Sequence, residues 1–110
     1  MIDTARQLKE RHANRVYICC TYGLFTNGLD AFDKAYEKCY FDKVITTNLN
    51  YRLPELLERP YYIEADMSKF VASIIDFMNH DISMTNVLTP TEKIQKILRL
   101  YNERKDFDLA

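Results

Sequence analysis

The stretch R-V-Y-I-C-C-T-Y-G-L-F-T-N-G, residues 15–28, predicts a strand followed by a turn, and it decides the fold class. Arg15–Cys20 is almost entirely apolar and shows no polar alternation. Strands of a parallel sheet have this pattern when helices cover both of their faces. Thr21–Gly28 holds both glycines of the chain, and glycine adopts backbone conformations that are costly for other residues. The stretch therefore predicts a buried strand that ends in a loop with special backbone geometry.

Apolar periodicity predicts alternating helices and strands on both sides of this stretch. The predicted elements are a helix from Met1 to about residues 12–14, the strand Arg15–Cys20, a helix over 29–40, a strand over Lys43–Thr47, a helical turn over Pro54–Leu57, a strand over Tyr61–Ala65, a helix from Met67 to Met78 after the cap Asp66, a loop over His80–Leu88, and a helix from Pro90 to Tyr101 after the cap Thr89. Strands that alternate with helices are typical of a mostly parallel sheet. We predict an α/β fold with a mostly parallel sheet of about three strands flanked by helices.

One domain is predicted over residues 1–101, and residues 102–110 lose the apolar pattern and are expected to fray. The predicted core consists of Val16, Ile18, Val44, Ile45, Ile63, Phe70, Val71, Ile74 and Ile75. These residues are the apolar positions of the predicted strands and of the helix with the clearest periodicity.

Composition excludes several classes of partner. The net charge of −1 provides no overall field that would attract nucleic acid or an anionic membrane. No apolar run approaches the roughly 18 residues that a membrane-spanning helix needs, and the charged segment Met1–Glu10 does not resemble a secretory signal. The three cysteines are odd in number and form no C-x-x-C pair. We therefore expect reduced thiols and a cytoplasmic location.

The predicted loop Thr21–Gly28 is the best candidate for a ligand site, because ligands of open α/β sheets bind at the carboxyl ends of strands. Gly23 and Gly28 would allow close backbone approach to a ligand, while Thr21, Thr26 and Asn27 offer short polar side chains. Two further segments, Thr46–Asn50 and Glu64–Asp66, also lie at the carboxyl ends of predicted strands. The loop lacks both G-x-G-x-x-G and the Walker pattern, so an ordinary strand-to-helix turn is the alternative. The histidines have no partner at metal-ligand spacing, and no catalytic triad is recognisable. The sequence thus predicts no catalytic residue and no metal site.

Three segments, taken in order and spacing, resemble the C-terminal half of ribose-phosphate pyrophosphokinases. They are L-K-E-R-H-A-N-R-V-Y (Leu8–Tyr17), T-Y-G-L-F-T-N-G (Thr21–Gly28) and F-D-K-V-I-T-T-N (Phe41–Asn48). Asp81-Ile82-Ser83 lies where that family has an S-V-S-like loop, and the similarity covers about residues 2–100. The resemblance implies an incomplete type I phosphoribosyltransferase-like domain. The family transferase makes phosphoribosyl pyrophosphate from Mg-ATP and ribose 5-phosphate for nucleotide biosynthesis, as a cytoplasmic homo-oligomer.

The chain also departs from the family pattern. Met1–Ala5 is similar to the middle of the family's D-D-M-I-D-T-A-G-T phosphoribosyl loop, but the register places Met1 at the start of the helix. Arg6 then stands where a phosphate cradle needs glycine. Tyr22 replaces a family histidine and Asp81 replaces a serine. The resemblance therefore implies that the phosphoribosyl-binding loop and the ATP-binding part are absent, and that Mg and ATP belong to the whole family enzyme.

Three hypotheses remain open at this point. The chain is a C-terminal fragment that is inactive alone, a free-standing non-catalytic module that binds a nucleotide or regulates a full-length homologue, or a small α/β binding protein without this link. For a phosphate or nucleotide ligand, the expected contacts are Thr21, Gly23, Thr26, Asn27 and Ser83. We also expect association with a second copy or with a full-length homologue through an exposed edge at Val16–Cys20. The alternative is a monomer in which the helices that begin at Met1 and Thr89 cover that edge.

Overall fold

The structure is a computed structural model that describes the backbone of residues 1–108 and the side chains of residues 1–85 and 88–104. Its elements are α1 (Ile2–Glu10), β1 (Tyr17–Cys20), α2 (Asp30–Glu37), β2 (Lys43–Thr47), α3 (Pro54–Leu57), β3 (Tyr62–Ala65), α4 (Ser68–Asn79), α5 (Thr85–Leu88) and α6 (Thr91–Asp108). The chain divides into two compact units, residues 1–67 and 68–110. None of the helices described in residues 1–108 combines the length and the apolar character needed to cross a bilayer.

The first unit contains a three-stranded sheet in which every pair is parallel, in the order β1-β2-β3. Ile18 is paired with Val44, and Val44 is paired with Tyr62. This arrangement confirms the predicted α/β fold with a parallel three-stranded sheet. β2 lies in the centre, so β1 and β3 are the edge strands.

Burial within the strands alternates, which differs from the prediction that both faces are covered. Val16 and Ile18 are buried, whereas Tyr17, which lies between them, and Cys19, which follows Ile18, are exposed. In the first unit, residues of α1 and α2 join one apolar cluster with Ile18 and Val44. The apolar run at β1 therefore reflects high β-propensity as well as burial.

The core predictions have a mixed outcome. Val16, Ile18 and Val44 are confirmed as buried, and Ile45, Phe70 and Ile74 are half-buried. Ile63, Val71 and Ile75 are wrong, because each of these side chains is exposed. Periodicity identifies the apolar side of a helix or strand, but it does not say whether another element covers that side.

Aromatic side chains form much of the core that the sequence did not predict. Phe41 and Tyr61 are almost fully buried and meet edge to face, with ring centroids 5.4 Å apart. Tyr36 of α2 lies 5.1 Å from Tyr61, measured between ring centroids. Such pairs contribute about 0.5–1.5 kcal/mol each beyond the area they bury. These contacts hold α2 against the segments that lead into β2 and β3.

Asp33 connects α2 to the start of β3 by hydrogen bonds. Its Oδ1 accepts from the hydroxyl of Tyr61 at 2.6 Å and from Nε of Arg59 at 2.9 Å. The hydrogen bond from Tyr61, followed by the interactions with Arg59, lowers the pKa of the Asp33 carboxyl. Burial, reinforced by the hydrogen bond to Asp33, raises the pKa of Tyr61. The carboxylate thus ties the β1–β2 crossover helix to the chain that enters β3.

The second unit contains α4, α5 and α6. α5 falls inside the predicted loop His80–Leu88. Helix α4 begins and ends one residue later than predicted. α6 continues through residues 102–108, where the loss of apolar periodicity predicts fraying, while residues 109–110 lie outside the described part. N-E-R-K-D (Asn102–Asp106) is rich in residues with good helix propensity, which extends a helix without an apolar stripe.

The ion pair at Asp33 gives the first prediction. Asp33→Asn should lower the free energy of unfolding at pH 7 by about 1–3 kcal/mol, because two donors lose a charged acceptor. The folded-state pKa of Asp33 is lowered, so this stabilisation is present above the unfolded value of about 3.9 and is lost as pH falls through the folded pKa. Urea unfolding of both proteins between pH 2 and about 7 measures the difference.

Asp3→Asn is the matched control, because the Asp3 side chain is 87% exposed and its contact with Arg6 is 3.8 Å long. The control should change the free energy of unfolding by less than about 0.5 kcal/mol. A difference between wild type and Asp33→Asn that does not depend on pH would contradict the assigned role of the carboxylate.

Candidate functional site

The loop Thr21–Gly28 connects the carboxyl end of β1 to α2 and borders a cavity of about 380 Å³. Ile18 and Val44 contribute to the cavity from the sheet, and Phe32 contributes from α2. The volume lies within the range of about 300–1,000 Å³ that is usual for small-molecule sites. The loop and the cavity therefore form the candidate site, at the end of the sheet where ligands of α/β folds bind.

Gly23 brings the loop into contact with the central strand. It is buried, and a Cβ atom at this position would lie 2.7 Å from Cε2 of Phe25 and 2.8 Å from Cγ2 of Thr46. The carbonyl of Gly23 accepts a hydrogen bond from Nδ2 of Asn50 at 3.3 Å. Only glycine fits this approach without displacing its neighbours, and these neighbours are protein atoms. The predicted close approach to a ligand stays a prediction.

A tight turn closes the loop before α2. Gly28 has a φ of +79°, and its N–H donates to the carbonyl of Phe25 at 2.9 Å. Phe25 also has a positive φ, +46°, which costs a non-glycine residue about 1–2 kcal/mol. Its ring packs edge to face on Phe32 at a centroid distance of 5.0 Å, which offsets part of that cost. Strained residues of this kind cluster at binding sites, so Phe25 strengthens the candidate.

The polar residues of the loop are available to a ligand to different degrees. Gly23, Thr26 and Asn27 all line the cavity, and the side chains of Thr26 and Asn27 are exposed. Thr21 lies at the end of β1, where its carbonyl accepts from both the N–H and the hydroxyl of Thr47. The structure thus brings three of the predicted site residues together at one cavity, with Thr21 beside them in the chain.

Ser83 belongs to the second unit and is placed there by local contacts. Its hydroxyl lies 2.9 Å from the hydroxyl of Thr85 and accepts from the backbone N–H of Thr85 at 3.4 Å. Serine commonly bonds the backbone two residues on in this way at the start of a helix. These contacts place Ser83 in the turn before α5, which begins at Thr85, and its predicted phosphate contact stays a prediction.

Polar residues at the end of β2 and just after it form a second part of the site. The sequence places the segment Thr46–Asn50 at the carboxyl end of a strand, but it does not predict the contacts that these residues make. Thr46 is buried and shares a hydrogen bond of 2.8 Å with the hydroxyl of Tyr62. Asn48 donates to Asp66 and accepts from the N–H of Met67, both at 2.9 Å. Oδ1 of Asn50 is buried and has no donor among the described residues. The signal was present in the polar end of K-V-I-T-T-N-L-N, which continues an apolar strand.

The start of α2 adds backbone donors and negative charge. Leu29 caps the helix without a side-chain hydrogen bond, so the first N–H groups of α2 have no side-chain acceptor at the cap. Asp30 and Asp33 lie in the first turn, where carboxylates interact favourably with the helix dipole. An anionic group bound here would have to tolerate these two carboxylates, so the apolar wall of the cavity is its dominant chemical feature.

Chemical reactivity is low in this region. Burial, reinforced by the neighbouring Cys19, raises the pKa of the Cys20 thiol, which lines the cavity in its protonated form at neutral pH. In the part of the chain that the structure describes, no group of three or more His, Cys, Asp or Glu side chains could hold a metal ion. We derive no step through Mg²⁺ from these residues.

Substitution of Gly23 gives the second prediction. Gly23→Ala should lower the free energy of unfolding by about 1–3 kcal/mol, because the added methyl group overlaps Phe25 and Thr46. Thr46→Ser removes the overlapping Cγ2, so the double variant should lose less than the sum of the two single losses. Gly28→Ala is the control: a methyl group there has open space, and only the positive φ is costly. The loss of unfolding free energy caused by Gly28→Ala should add to the loss caused by Thr46→Ser. If both double variants depart equally from additivity, the assigned contact between Gly23 and Thr46 is contradicted.

Comparison with known proteins adds no assignment for this site. No family model matches the chain, and neither a curated protein nor a solved structure matches it. The similarity of Leu8–Tyr17, Thr21–Gly28 and Phe41–Asn48 to ribose-phosphate pyrophosphokinases therefore stays a prediction from the motifs.

Proposed function

We propose that the chain is the C-terminal part of a ribose-phosphate pyrophosphokinase, a phosphoribosyltransferase-like domain that binds a nucleotide or phosphate and does not make phosphoribosyl pyrophosphate by itself. The cavity behind Thr21–Gly28, at the carboxyl end of β1 in a parallel sheet, is the observation that carries the proposal. The order of the three motif segments also supports it, because they follow one another at the junction of α1 and β1, in the loop after β1, and along β2. Diphosphate transfer from Mg-ATP to ribose 5-phosphate is the activity of the whole family enzyme in nucleotide biosynthesis.

The shape and polarity of the cavity favour a nucleotide over a bare phosphate ion. Phe25, Phe32 and Ile18 provide apolar walls of the kind that a flat base contacts favourably. Thr26 and Asn27 lie at the same cavity, with exposed side chains that could hydrogen-bond ribose or phosphate oxygens. We assign these two residues and the backbone of Gly23 to the ligand, with Thr21 as a further contact. The predicted phosphate contact of Ser83 rests on its motif position alone.

The proposal includes a protein partner and a cytoplasmic location. A second copy or a full-length homologue is the partner that the resemblance implies. If the chain works as a free-standing module, the same association would allow it to regulate a full-length homologue, and the exposed side chains of Tyr17 and Cys19 on edge strand β1 favour such contact. Cys19, Cys20 and Cys39 are all free thiols, which agrees with a reducing compartment.

Ligand binding gives the third prediction. Titration with ATP or ADP at millimolar concentration should shift the backbone amide NMR signals of Gly23, Thr26, Asn27 and Gly28, and sulfate should shift them less because it lacks a base. Joint substitution of Thr26 and Asn27 by alanine should weaken the effect. Thr89→Ala, an exposed threonine of the second unit, should leave it unchanged. Shifts spread evenly over the chain, or none at these amides, would overturn the assigned site.

The non-catalytic part of the proposal has a separate test. The chain, mixed with Mg²⁺, ATP and ribose 5-phosphate, should form no AMP above the rate without protein. Turnover that rises with protein concentration and disappears in the Thr26→Ala, Asn27→Ala variant would overturn it. The titration reports on the binding site and the AMP assay reports on turnover, so the two parts of the proposal are tested separately.

A further inference from the structure

The cavity at the loop Thr21–Gly28 has walls without positive charge. No lysine, arginine or histidine is among the described residues that line it. Its polar side chains include those of Thr26 and Asn27, which carry no charge. Sites that hold phosphate groups usually supply arginine, lysine or a concave set of backbone N–H groups to the phosphate oxygens. The lining therefore offers hydrogen bonds to a ligand, but no ion pair.

The start of α2 adds negative charge beside the cavity. Ala31 and Phe32 line the cavity from the first turn of α2, and Asp30 and Asp33 belong to the same turn. Carboxylates at this position already complement the positive pole of the helix dipole. A phosphate group bound here would compete with them for that pole and would be repelled by the exposed carboxylate of Asp30. The helix start therefore does not replace the missing cation.

The cations of the first unit are paired or lie at the other end of the strands. Arg59 forms an ion pair with Asp33, and Arg52 forms one with Glu64. Three further cations border a different cavity, at the amino ends of β1 and β2: Lys9, Arg15 and Lys43. The candidate site lies at the carboxyl end of β1, so these three side chains are at the opposite end of the parallel sheet.

The apolar walls of the candidate site suit a flat ring. Ile18 and Val44 line the cavity from the sheet, and the rings of Phe25 and Phe32 line it from the loop and from α2. The two rings pack edge to face at a centroid distance of 5.0 Å, and this contact holds both in place. The volume of about 380 Å³ is near the lower end of the range for small-molecule sites, which favours a compact ligand.

We propose that this cavity binds the nucleoside part of a nucleotide and leaves the phosphate groups in solvent, so that a nucleoside binds as tightly as its nucleotide. The assignment rests on the proposed function and narrows its ligand to compounds with a neutral aromatic base. The base contacts the apolar walls, while Thr26 and Asn27 hydrogen-bond the ribose hydroxyl groups or the polar edge of the base. A sugar phosphate has no group that fits the apolar walls.

Four ligands titrated into the full chain give the fourth prediction: adenosine, ADP, ATP and ribose 5-phosphate. The amide NMR signals of Gly23, Thr26 and Asn27 report the dissociation constants. The constants of adenosine and ADP should agree within about threefold, because the phosphates gain no ion pair, and ribose 5-phosphate should bind at least about tenfold more weakly. Low ionic strength makes the comparison most sensitive to charge.

A cation added to the lining should change the order of the ligands. Ala31→Lys should strengthen ADP binding by about threefold or more and leave adenosine within about twofold of its wild-type value. Ala31 is exposed, so the substitution is compatible with folding. Ala72→Lys is the matched control, because Ala72 is also an exposed helical alanine and does not line the cavity. It should change neither dissociation constant.

The thiols report where adenosine binds. Cys20 lines the candidate site, whereas Cys39 borders the cavity at the amino ends of the strands. In a Cys19→Ser variant, adenosine should slow the alkylation of Cys20 by iodoacetamide and leave the alkylation of Cys39 unchanged. Ribose 5-phosphate at the same concentration should slow neither reaction. Mass spectrometry of the two peptides measures both rates.

Several results would overturn the assignment while the proposed function stands. They are ADP or ATP binding more than about threefold tighter than adenosine, Ala31→Lys leaving ADP binding unchanged, and adenosine binding without protection of Cys20. Ribose 5-phosphate that binds as tightly as adenosine would also overturn it. If none of the four ligands shifts these amides, the assignment and the proposed ligand site are both wrong.

Discussion

The contact between Gly23 and Thr46 is the constraint on which the candidate site depends. A Cβ atom on Gly23 would lie 2.8 Å from Cγ2 of Thr46, so the loop after β1 rests directly on the central strand. That approach fixes where the loop starts, and the turn between Phe25 and Gly28 fixes where it ends. The cavity is the space left between this loop, the sheet and α2. Thr46 can hold this position because its hydroxyl is satisfied by Tyr62, so a polar residue is buried without an unpaired group.

The surrounding structure keeps the loop in place by connecting α2 to the sheet. Aromatic rings at Tyr36, Phe41 and Tyr61 pack α2 against the sheet, and the Asp33 carboxylate connects it by hydrogen bonds to the segment before β3. The opposite side of the strands is less covered, as the exposure of Tyr17 and Ile63 indicates. One unit thus combines a cavity at the carboxyl end of the sheet with exposed apolar side chains on the strands.

The sequence predicted the strands well because each is a short apolar run bounded by turn residues, as at Lys43–Thr47. It also predicted Gly23 as a point of close approach to a ligand, where the structure has protein atoms. It could not predict the neighbour at Gly23, because Thr46 follows it by 23 positions and reaches it only through the parallel register. The burial of Thr46 and Tyr61 was missed for a related reason. A polar side chain is buried where it has a hydrogen-bond partner, and only the tertiary structure shows which residue that partner is. Ile63 and Ile75 were wrongly predicted to be buried, since an apolar side chain is buried only where another element covers it.

The most direct measurement of the central contact is a nuclear Overhauser effect between Hα of Gly23 and the γ-methyl group of Thr46. The hydrogen at the Cβ position of Gly23 points at this methyl group, so the account predicts a strong cross peak. A second cross peak should join Gly23 to the ring of Phe25, whose Cε2 lies 2.7 Å from the same Cβ position. If the Thr46 methyl group instead shows contacts only within the sheet and none with Gly23, the loop does not rest on β2. The cavity and the assigned ligand site would then be contradicted as well.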